Sequence, residues 1–182
     1  MLLGVAVGDA LGVPVEFSPR HHLDADPVYT MRAYGSHRQP AGTWSDDASL
    51  TFCLAESIAH AGHLDPRDLA QRFIRWREEA YWSARDEVFD IGIGTSRAID
   101  RMMIGEAPTS CGGRDEMSNG NGSLMRILPL LALTMGLPST EVYNLAADCS
   151  ALTHGHPRSH LACTYYLLFA EQITHGVLPA RA

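Results

Sequence analysis

The sequence predicts an all-α fold, an orthogonal multi-helix bundle that forms one domain over residues 1–182. Apolar residues recur every three or four positions in most segments, as they do along the buried face of a helix. No segment shows the strict apolar–polar alternation of a half-buried strand. The chain also has no internal repeat, low-complexity tract or linker that would divide it.

Seven helices are expected, separated by loops with glycine and proline. The first spans about residues 2–12 and is rich in small residues, so it can pack closely against its neighbours. A loop of about residues 18–45 follows, and its unusual length is typical of a functional segment. The other helices are expected at about residues 46–61, from Asp65-Pro66 onward, at 96–103, at 123–135 with a kink at Pro129, around 142–149, and from Pro157 to Gly176.

Composition bounds the possible functions. With 46 % hydrophobic and 19 % charged residues, the chain can bury a sizeable core. Its formal net charge of −7 argues against nucleic-acid binding, which uses a basic surface. No apolar run reaches membrane-spanning length, and the first residues lack a basic signal-peptide region, so neither membrane nor secretion is expected. The four cysteines have no metal-binding spacing, which favours buried free thiols in a reducing cytoplasm.

The stretch GTWSDD at residues 42–47 places a hydroxyl and two carboxylates where a loop becomes a helix. Mg²⁺ and Mn²⁺ prefer oxygen ligands of this kind, so Ser45, Asp46 and Asp47 are candidate metal ligands. The alternative is structural. Ser and Asp are also favoured at helix N-caps and in first turns, where they satisfy unpaired N–H groups.

Three further segments carry residues suited to ligand binding. Residues 4–17 read GVAVGDALGVPVEF and end on a carboxylate, Glu16, next to Phe17. Residues 119–129 read NGNGSLMRILP, a glycine-rich turn before an expected helix start that can offer N–H groups to a phosphate. Residues 153–157 read THGHP, with His154 and His156 before the last helix. Each segment also has an ordinary alternative: an exposed Glu, a polar turn and a capping turn, respectively.

These four motifs, in this order and spread over almost the whole chain, resemble those of the ADP-ribosylglycohydrolases, including the dinitrogenase-reductase-activating type. The resemblance implies an all-α bundle and metal-assisted hydrolysis of the bond between ADP-ribose and an amino-acid side chain. Arginine is the favoured side chain, because residues 121–126 read NGSLMR. The implied partner is therefore an ADP-ribosylated protein or a small ADP-ribosyl compound.

The resemblance also assigns roles to individual residues. Two Mg²⁺ or Mn²⁺ ions occupy the complete family site, and here Ser45, Asp46 and Asp47 are the implied ligands. The implied catalytic carboxylates are Glu16, Asp46 and Asp47. Asp9 is expected to be structural and His156 to support its turn. The residues implied to hold ADP-ribose are Asn119, Gly120, Asn121, Gly122, Ser123, Met125 and His154, the last with a charge that changes near physiological pH.

One departure from the family pattern affects the expected activity. Family members carry a later Asp-x-Asp-Thr segment that completes the metal pair, and this sequence contains none. The resemblance therefore implies a domain that lacks the family's C-terminal part. A non-catalytic ADP-ribose-binding or structural relative with half a metal site is the alternative to a hydrolase.

Overall fold

The computed structural model describes residues 1–180, and these form an all-α bundle. Its helices are α1 (Leu2–Gly12), α2 (Arg20–Ala25), α3 (Asp46–Ala61), α4 (Pro66–Glu79), α5 (Ile93–Met103), α6 (Leu131–Thr134), α7 (Ser139–Ala151) and α8 (Pro157–Thr174). The predicted fold class is confirmed. None of the helices in the described part of the chain is long and apolar enough to cross a membrane.

Helix α3 packs against α1 and α4 and starts at the GTWSDD motif. Ser45 is its N-cap, and the Ser45 Oγ accepts a hydrogen bond of 3.2 Å from the Asp47 N–H. Gly62 ends the helix with a φ of 72°, a left-handed conformation that glycine adopts without steric cost. Leu50, Cys53 and Leu54 are fully buried on the inward face. The capping interpretation of Ser45 is therefore confirmed, and it leaves both aspartates in the first turn.

Helix α1 is fixed to α3 through one carboxylate. The two Oδ atoms of Asp9 accept hydrogen bonds from Ser45 N at 2.9 Å, Ser45 Oγ at 2.8 Å and Ala48 N at 2.9 Å. Two of these donors are backbone N–H groups of the kind that a helix start leaves unpaired. The structural role expected for Asp9 is confirmed, and this contact sets the start of α3 beside the turn that carries Glu16.

The remaining core joins α3 to α4, α5, α7 and α8. Phe73 and Trp76 from α4 are almost completely buried, as are Ile99 of α5 and Leu167 of α8. Asp65 caps α4 by accepting hydrogen bonds from two backbone N–H groups, and Pro66 takes the first helical position, where its missing donor costs nothing. The core holds the starts of α3, α5 and α8 near one another.

Three sequence-based boundaries need correction. The predicted helix over residues 123–135 is instead a run of turns, a 3₁₀ turn at Leu128–Leu130 and the one-turn helix α6. Pro129 lies in the first turn of that 3₁₀ segment, because proline cannot donate within a regular helix. The predicted loop at residues 18–45 contains α2, and α5 begins three residues earlier than the expected Ser96.

Candidate active site

A cleft of about 330 Å³ brings together the motifs that are far apart in the sequence. Eight of the residues predicted to form the site line it: Glu16, Asp46, Asp47, Gly120, Asn121, Gly122, Met125 and His154. The start of α3 and the Glu16 turn form one wall. The glycine-rich loop, residues 119–125, and the turn before α8 form the other.

The first wall is strongly acidic. Asp46 is almost fully buried, Asp47 is half-buried, and no basic side chain forms an ion pair with either within residues 1–180. Burial, and then repulsion from Asp47 and Asp90, raises the pKa of Asp46 to about 8. Burial, and then repulsion from Asp9 and Glu16, raises the pKa of Asp47 to about 6. Ionising these carboxyl groups together is therefore unfavourable, and a bound cation would offset that cost.

Asp90 completes this acidic wall, and the sequence-based prediction did not include it. It lies in the loop before α5, lines the cleft with Glu16, and has a pKa raised by burial and by the Glu16 charge. Gly92, Gly94 and Thr95 line the cleft on the same side. The sequence FDIGIG at residues 89–94, an acidic residue followed by two glycines at the start of a helix, is the signal that could have identified it.

The hydroxyl of Ser45 is already used in the fold. It donates to Asp9 and accepts from Asp47 N–H, so one of its two acceptor lone pairs remains. Ser45 lines a neighbouring cavity of about 410 Å³ together with Asp9, Glu16, Asp47 and Asp90. Its role as a metal ligand stays a prediction that this geometry permits.

His154 lines the opposite wall of the cleft, and its neighbour Thr153 holds its ring in one orientation. Its Nδ1 lies 2.9 Å from the Thr153 Oγ1, and its side chain is largely buried. Burial, and then the nearby charge of Arg126, lowers the pKa of His154 to about 4. The ring is therefore neutral at physiological pH. The expectation that its charge changes near that pH is wrong, because it took no account of burial.

Glycines surround the His154 ring and keep the cleft open. A Cβ atom on Gly122 would lie 2.7 Å from the His154 Cε1 and 3.3 Å from the Thr95 Oγ1. A Cβ atom on Gly94 or Gly120 would lie 3.4 Å from the His154 Nε2. Gly112 is equally constrained, because its Cβ would lie 2.5 Å from the Ala151 carbonyl oxygen. The glycine-rich loop is thus packed directly against the turn that carries His154.

Two residues of the predicted binding loop do not line the cleft. Ser123 is completely buried, its Oγ accepts a hydrogen bond of 2.7 Å from the Ser150 Oγ, and it lies 3.5 Å from the Cys163 Sγ. Its side chain therefore does not face the cleft, and its role in holding ADP-ribose stays a prediction that this geometry does not support. Asn119 is exposed and donates to the Glu116 carbonyl oxygen. No regular helix starts at Ser123, so the expected helix N-terminus is absent from the site.

Arg126 supports the loop from below. Its guanidinium is fully buried, donates to the carbonyl oxygens of Gly122 and Cys149 at 3.1 Å each, and lies 5.0 Å from the centre of the Phe73 ring. It therefore neither contacts the cleft nor forms the helix-surface salt bridge that is common for such residues. Its contact with Gly122 fixes the backbone that faces His154.

His156 has a structural role in the same turn. Its Nδ1 accepts a hydrogen bond of 3.2 Å from the Arg158 N–H, which caps α8. The turn is tied to the preceding loop by a backbone hydrogen bond of 2.9 Å from Gly155 N–H to the Gly113 carbonyl oxygen. The expectation that His156 supports the turn is confirmed.

A second cavity of about 320 Å³ shares the walls at Gly94, Gly120 and His154 with the cleft. Arg97, Arg101 and Asp115 line it, so its charged side chains are mainly basic, whereas those of the cleft are acidic. Arg101 donates to the Cys111 carbonyl oxygen at 2.9 Å, whereas Arg97 is exposed. One continuous surface therefore has carboxylates on one side of His154 and guanidinium groups on the other.

Comparison with known proteins identifies the family. A sequence model of the ADP-ribosylglycohydrolases matches residues 1–182. The chain belongs to the ADP-ribosylglycohydrolase family. Among its relatives, the ADP-ribosylarginine hydrolase Tri1 of Pseudomonas putida is 37 % identical over 128 residues, covering 70 % of this chain and 33 % of the relative. The Tri1 of Serratia proteamaculans is 31 % identical and covers 96 % of this chain and 46 % of the relative.

Two further comparisons agree with this family assignment. The ADP-ribosyl-[dinitrogen reductase] glycohydrolase of Rhodospirillum rubrum is 33 % identical over 88 % of this chain and 52 % of its own length. A solved structure described as an ADP-ribosylglycohydrolase-related protein complex superposes with a TM-score of 0.77 at 34 % identity, covering 96 % of this chain and 54 % of the other. The chain thus spans between a third and about half of the length of these relatives.

Asp46→Asn should stabilise the metal-free protein at high pH. Because folding raises the pKa of Asp46, its protonated form contributes stability that is complete below about pH 4 and is lost as the pH rises through about 8. An amide cannot ionise. In thermal unfolding with a chelator, the variant should melt roughly 5 °C or more above the wild type at pH 9 and close to it at pH 4. Asp24→Asn, at an exposed position of α2, is the matched control. Equal midpoints at both pH values would contradict the crowding of the acidic wall.

Gly122→Ala should displace the His154 ring. The added methyl group has no room against the His154 Cε1, so the loop or the ring must move at a cost of roughly 1–3 kcal/mol. The carbon-bound ring protons of His154 should shift in NMR spectra, and the unfolding midpoint should fall. Gly4→Ala is the matched control, because its Cβ meets nothing within 4 Å in the first turn of α1, and it should be neutral or stabilising. An unmoved His154 signal would show that the loop does not press on the ring.

Proposed function

We propose that this protein is a metal-dependent hydrolase that removes ADP-ribose from a modified protein side chain, with arginine favoured. The observation that carries the proposal is the cleft itself. Four carboxylates on one wall face an open glycine-rich loop and a neutral histidine on the other. Such a cleft can surround a sugar that develops positive charge while its hydroxyl groups form hydrogen bonds.

The acidic wall suits hard divalent cations. Asp46 and Asp47, with the remaining lone pair of Ser45, would hold Mg²⁺ or Mn²⁺, as this sequence's share of the ligands to the two ions of the complete family site. The fit rests on the donor set, which is made of oxygens, and on the crowding of carboxylates at this wall, where burial, and then repulsion from neighbouring carboxylates, raises the pKa of both aspartates. When bound, such ions would supply positive charge that orients ribose hydroxyl groups and activates water.

The carboxylates would act directly on the reaction. Hydrolysis forms a bond between a water oxygen and the anomeric carbon, breaks the bond from that carbon to the side-chain nitrogen, and returns a proton to the leaving group. Asp46, Asp47 and Glu16 place negative charge beside the carbon that becomes positive in the transition state. Asp47, half-buried at the cleft surface, or Glu16 would accept the proton of the attacking water.

The opposite wall would hold the rest of ADP-ribose. Gly120 and Gly122 let the ligand approach the backbone closely, while Asn121 and Met125 line the same wall. The neutral His154 ring keeps one nitrogen available for a ribose hydroxyl, since its Nδ1 is held by Thr153. Arg97 and Arg101 in the adjacent cavity suit the negative diphosphate. The acidic and basic regions therefore match the two chemically different parts of ADP-ribose.

The substrate class rests on the family. The names of the relatives describe removal of ADP-ribose from arginine and from dinitrogen reductase, and the proposal extends the arginine specificity to this protein. An ADP-ribosylated protein is thus the proposed partner. The four cysteines are free and buried, which is consistent with the proposed location in a reducing cytoplasm.

An assay of ADP-ribose release tests the proposal. The protein is incubated with an ADP-ribosylarginine peptide in Mg²⁺ or Mn²⁺, and free ADP-ribose is measured by chromatography. We expect release that needs the metal ion and falls at least about a hundredfold in Asp47→Asn, because that change removes both charge and a ligand. Asp24→Asn is the matched control and should react like the wild type.

Calorimetry with free ADP-ribose distinguishes the alternatives. Binding without release from any modified side chain would reject the hydrolase and favour a non-catalytic binding domain. Neither binding nor release would reject both. Release that does not change in Asp47→Asn would show that the reaction occurs without the acidic wall.

A further inference from the structure

Three potential metal ligands from separate loops meet at the edge of the acidic wall. The His37 Nε2 lies 2.6 Å from the Glu16 Oε2 and 3.8 Å from the Asp90 Oδ2. All three ligand atoms lie within 4.8 Å of one another, and each residue is half-buried. No other group of this kind is found among residues 1–180.

Hydrogen bonds hold the loop that carries His37 against the turn that carries Glu16, so the fold itself brings these two side chains together. Ser36 donates its hydroxyl to the Glu16 carbonyl oxygen and its N–H to the Pro14 carbonyl oxygen. Gly35 packs so closely on this turn that a Cβ atom would overlap the Pro14 carbonyl oxygen. The two ligand atoms are therefore held together by backbone contacts that do not depend on the ion pair itself.

The His37 ring is also braced from two sides. Its centre lies 5.9 Å from that of the Phe17 ring and 5.4 Å from that of the Phe89 ring. These neighbours restrict ring rotation and leave the Nε2 directed at the two carboxylates. Only 14 % of the His37 side chain is exposed, so the nitrogen faces the carboxylates rather than open solvent.

Charge in this region favours a cation over a simple hydrogen-bonded pair. The nearby carboxylates are Glu16, Asp90, Asp46, Asp47 and Asp9, which line the cleft and the cavity next to it. A single imidazolium could offset only one of them. A divalent ion bound by the Glu16 Oε2, the Asp90 Oδ2 and the His37 Nε2 would offset two and would leave the ring neutral.

We propose that Glu16, His37 and Asp90 form a binding site for a divalent first-row transition metal ion, separate from the ligands Ser45, Asp46 and Asp47. One imidazole nitrogen and two carboxylate oxygens suit Zn²⁺, Co²⁺ or Mn²⁺, whereas Mg²⁺ prefers an all-oxygen set. The bound ion takes the place of the hydrogen bond between the His37 Nε2 and the Glu16 Oε2. The site does not depend on whether the protein hydrolyses ADP-ribose.

Titration of the protein with a transition metal ion, in about 10 mM Mg²⁺, tests this proposal. The Mg²⁺ is present to fill sites made only of oxygen ligands. Zn²⁺ binding is followed by calorimetry and Co²⁺ binding by visible absorption. We expect one Zn²⁺ or Co²⁺ per chain that excess Mg²⁺ does not displace. Affinity should fall at least about tenfold in His37→Asn, and likewise in Glu16→Gln and Asp90→Asn, because each change removes a ligand.

Matched variants separate this site from others on the protein. Asp46→Asn should retain the tight ion, which distinguishes failure of this site from failure of the proposed catalytic metal site. His63→Asn, at an exposed histidine, should also retain it. The double change of the adjacent exposed residues His21 and His22 to Asn tests adventitious surface binding.

Three outcomes would overturn the proposal. Unchanged metal affinity in His37→Asn would show that the His37 nitrogen is not a ligand. Loss of binding only in the His21 and His22 variant would assign the ion to the surface. If no ion binds and His37→Asn only lowers the unfolding midpoint, His37 serves to orient Glu16 by a hydrogen bond. Circular dichroism of each variant verifies that it is folded.

Discussion

The carboxylate of Asp9 is the contact on which the rest of the site depends. It accepts three hydrogen bonds at the start of α3, and burial raises its pKa despite the opposing effect of those bonds. Because it fixes α1 to α3, it sets the turn with Glu16 against the first turn with Asp46 and Asp47. A buried acceptor in this position costs desolvation, but the unpaired N–H groups of a helix start would cost more if they were left without partners.

The acidic wall illustrates a conflict between stability and function. Burial, and then repulsion from neighbouring carboxylates, raises the pKa values of Asp46, Asp47 and Asp90, so the ionised cleft destabilises the fold when no cation is present. Such a cluster persists because helix capping, the α3 core and the Arg126 contact below the loop determine the backbone independently. The opposite wall is neutral, since burial keeps His154 uncharged. Substrate groups with different charge can therefore occupy one cleft.

Much of the fold follows from the sequence. The bounds of α1 and α3 match their predicted ranges. In α3, helical periodicity, the Ser-Asp cap and the glycine stop agree. Residues 123–135 did not follow the prediction, since Pro129 and the glycines favour turns over a regular helix. Short segments such as α2 lack the several turns over which a periodic pattern becomes visible.

The site was only partly predictable, for physical reasons. The resemblance of the motifs to those of a known family predicted that the start of α3 and the glycine-rich loop share one site. The periodicity of apolar residues predicts neither wall of the cleft. Asp90 and His37 lie in irregular loops, and their meeting with Glu16 depends on tertiary contacts such as that of Ser36 with Pro14. The neutral state of His154 and the buried position of Arg126 also depend on packing, which residue type alone does not reveal.

The central claim is that the acidic wall holds a divalent cation against ADP-ribose, with His154 and the glycine-rich loop on the other side. A crystal structure of the protein with Mn²⁺ and ADP-ribose tests this most directly, because anomalous scattering locates the ion. The account predicts an anomalous peak within about 2.5 Å of an oxygen of Asp46 or Asp47, with a ribose between that ion and His154. An ion bound away from both aspartates, or ADP-ribose bound outside the cleft, would contradict it.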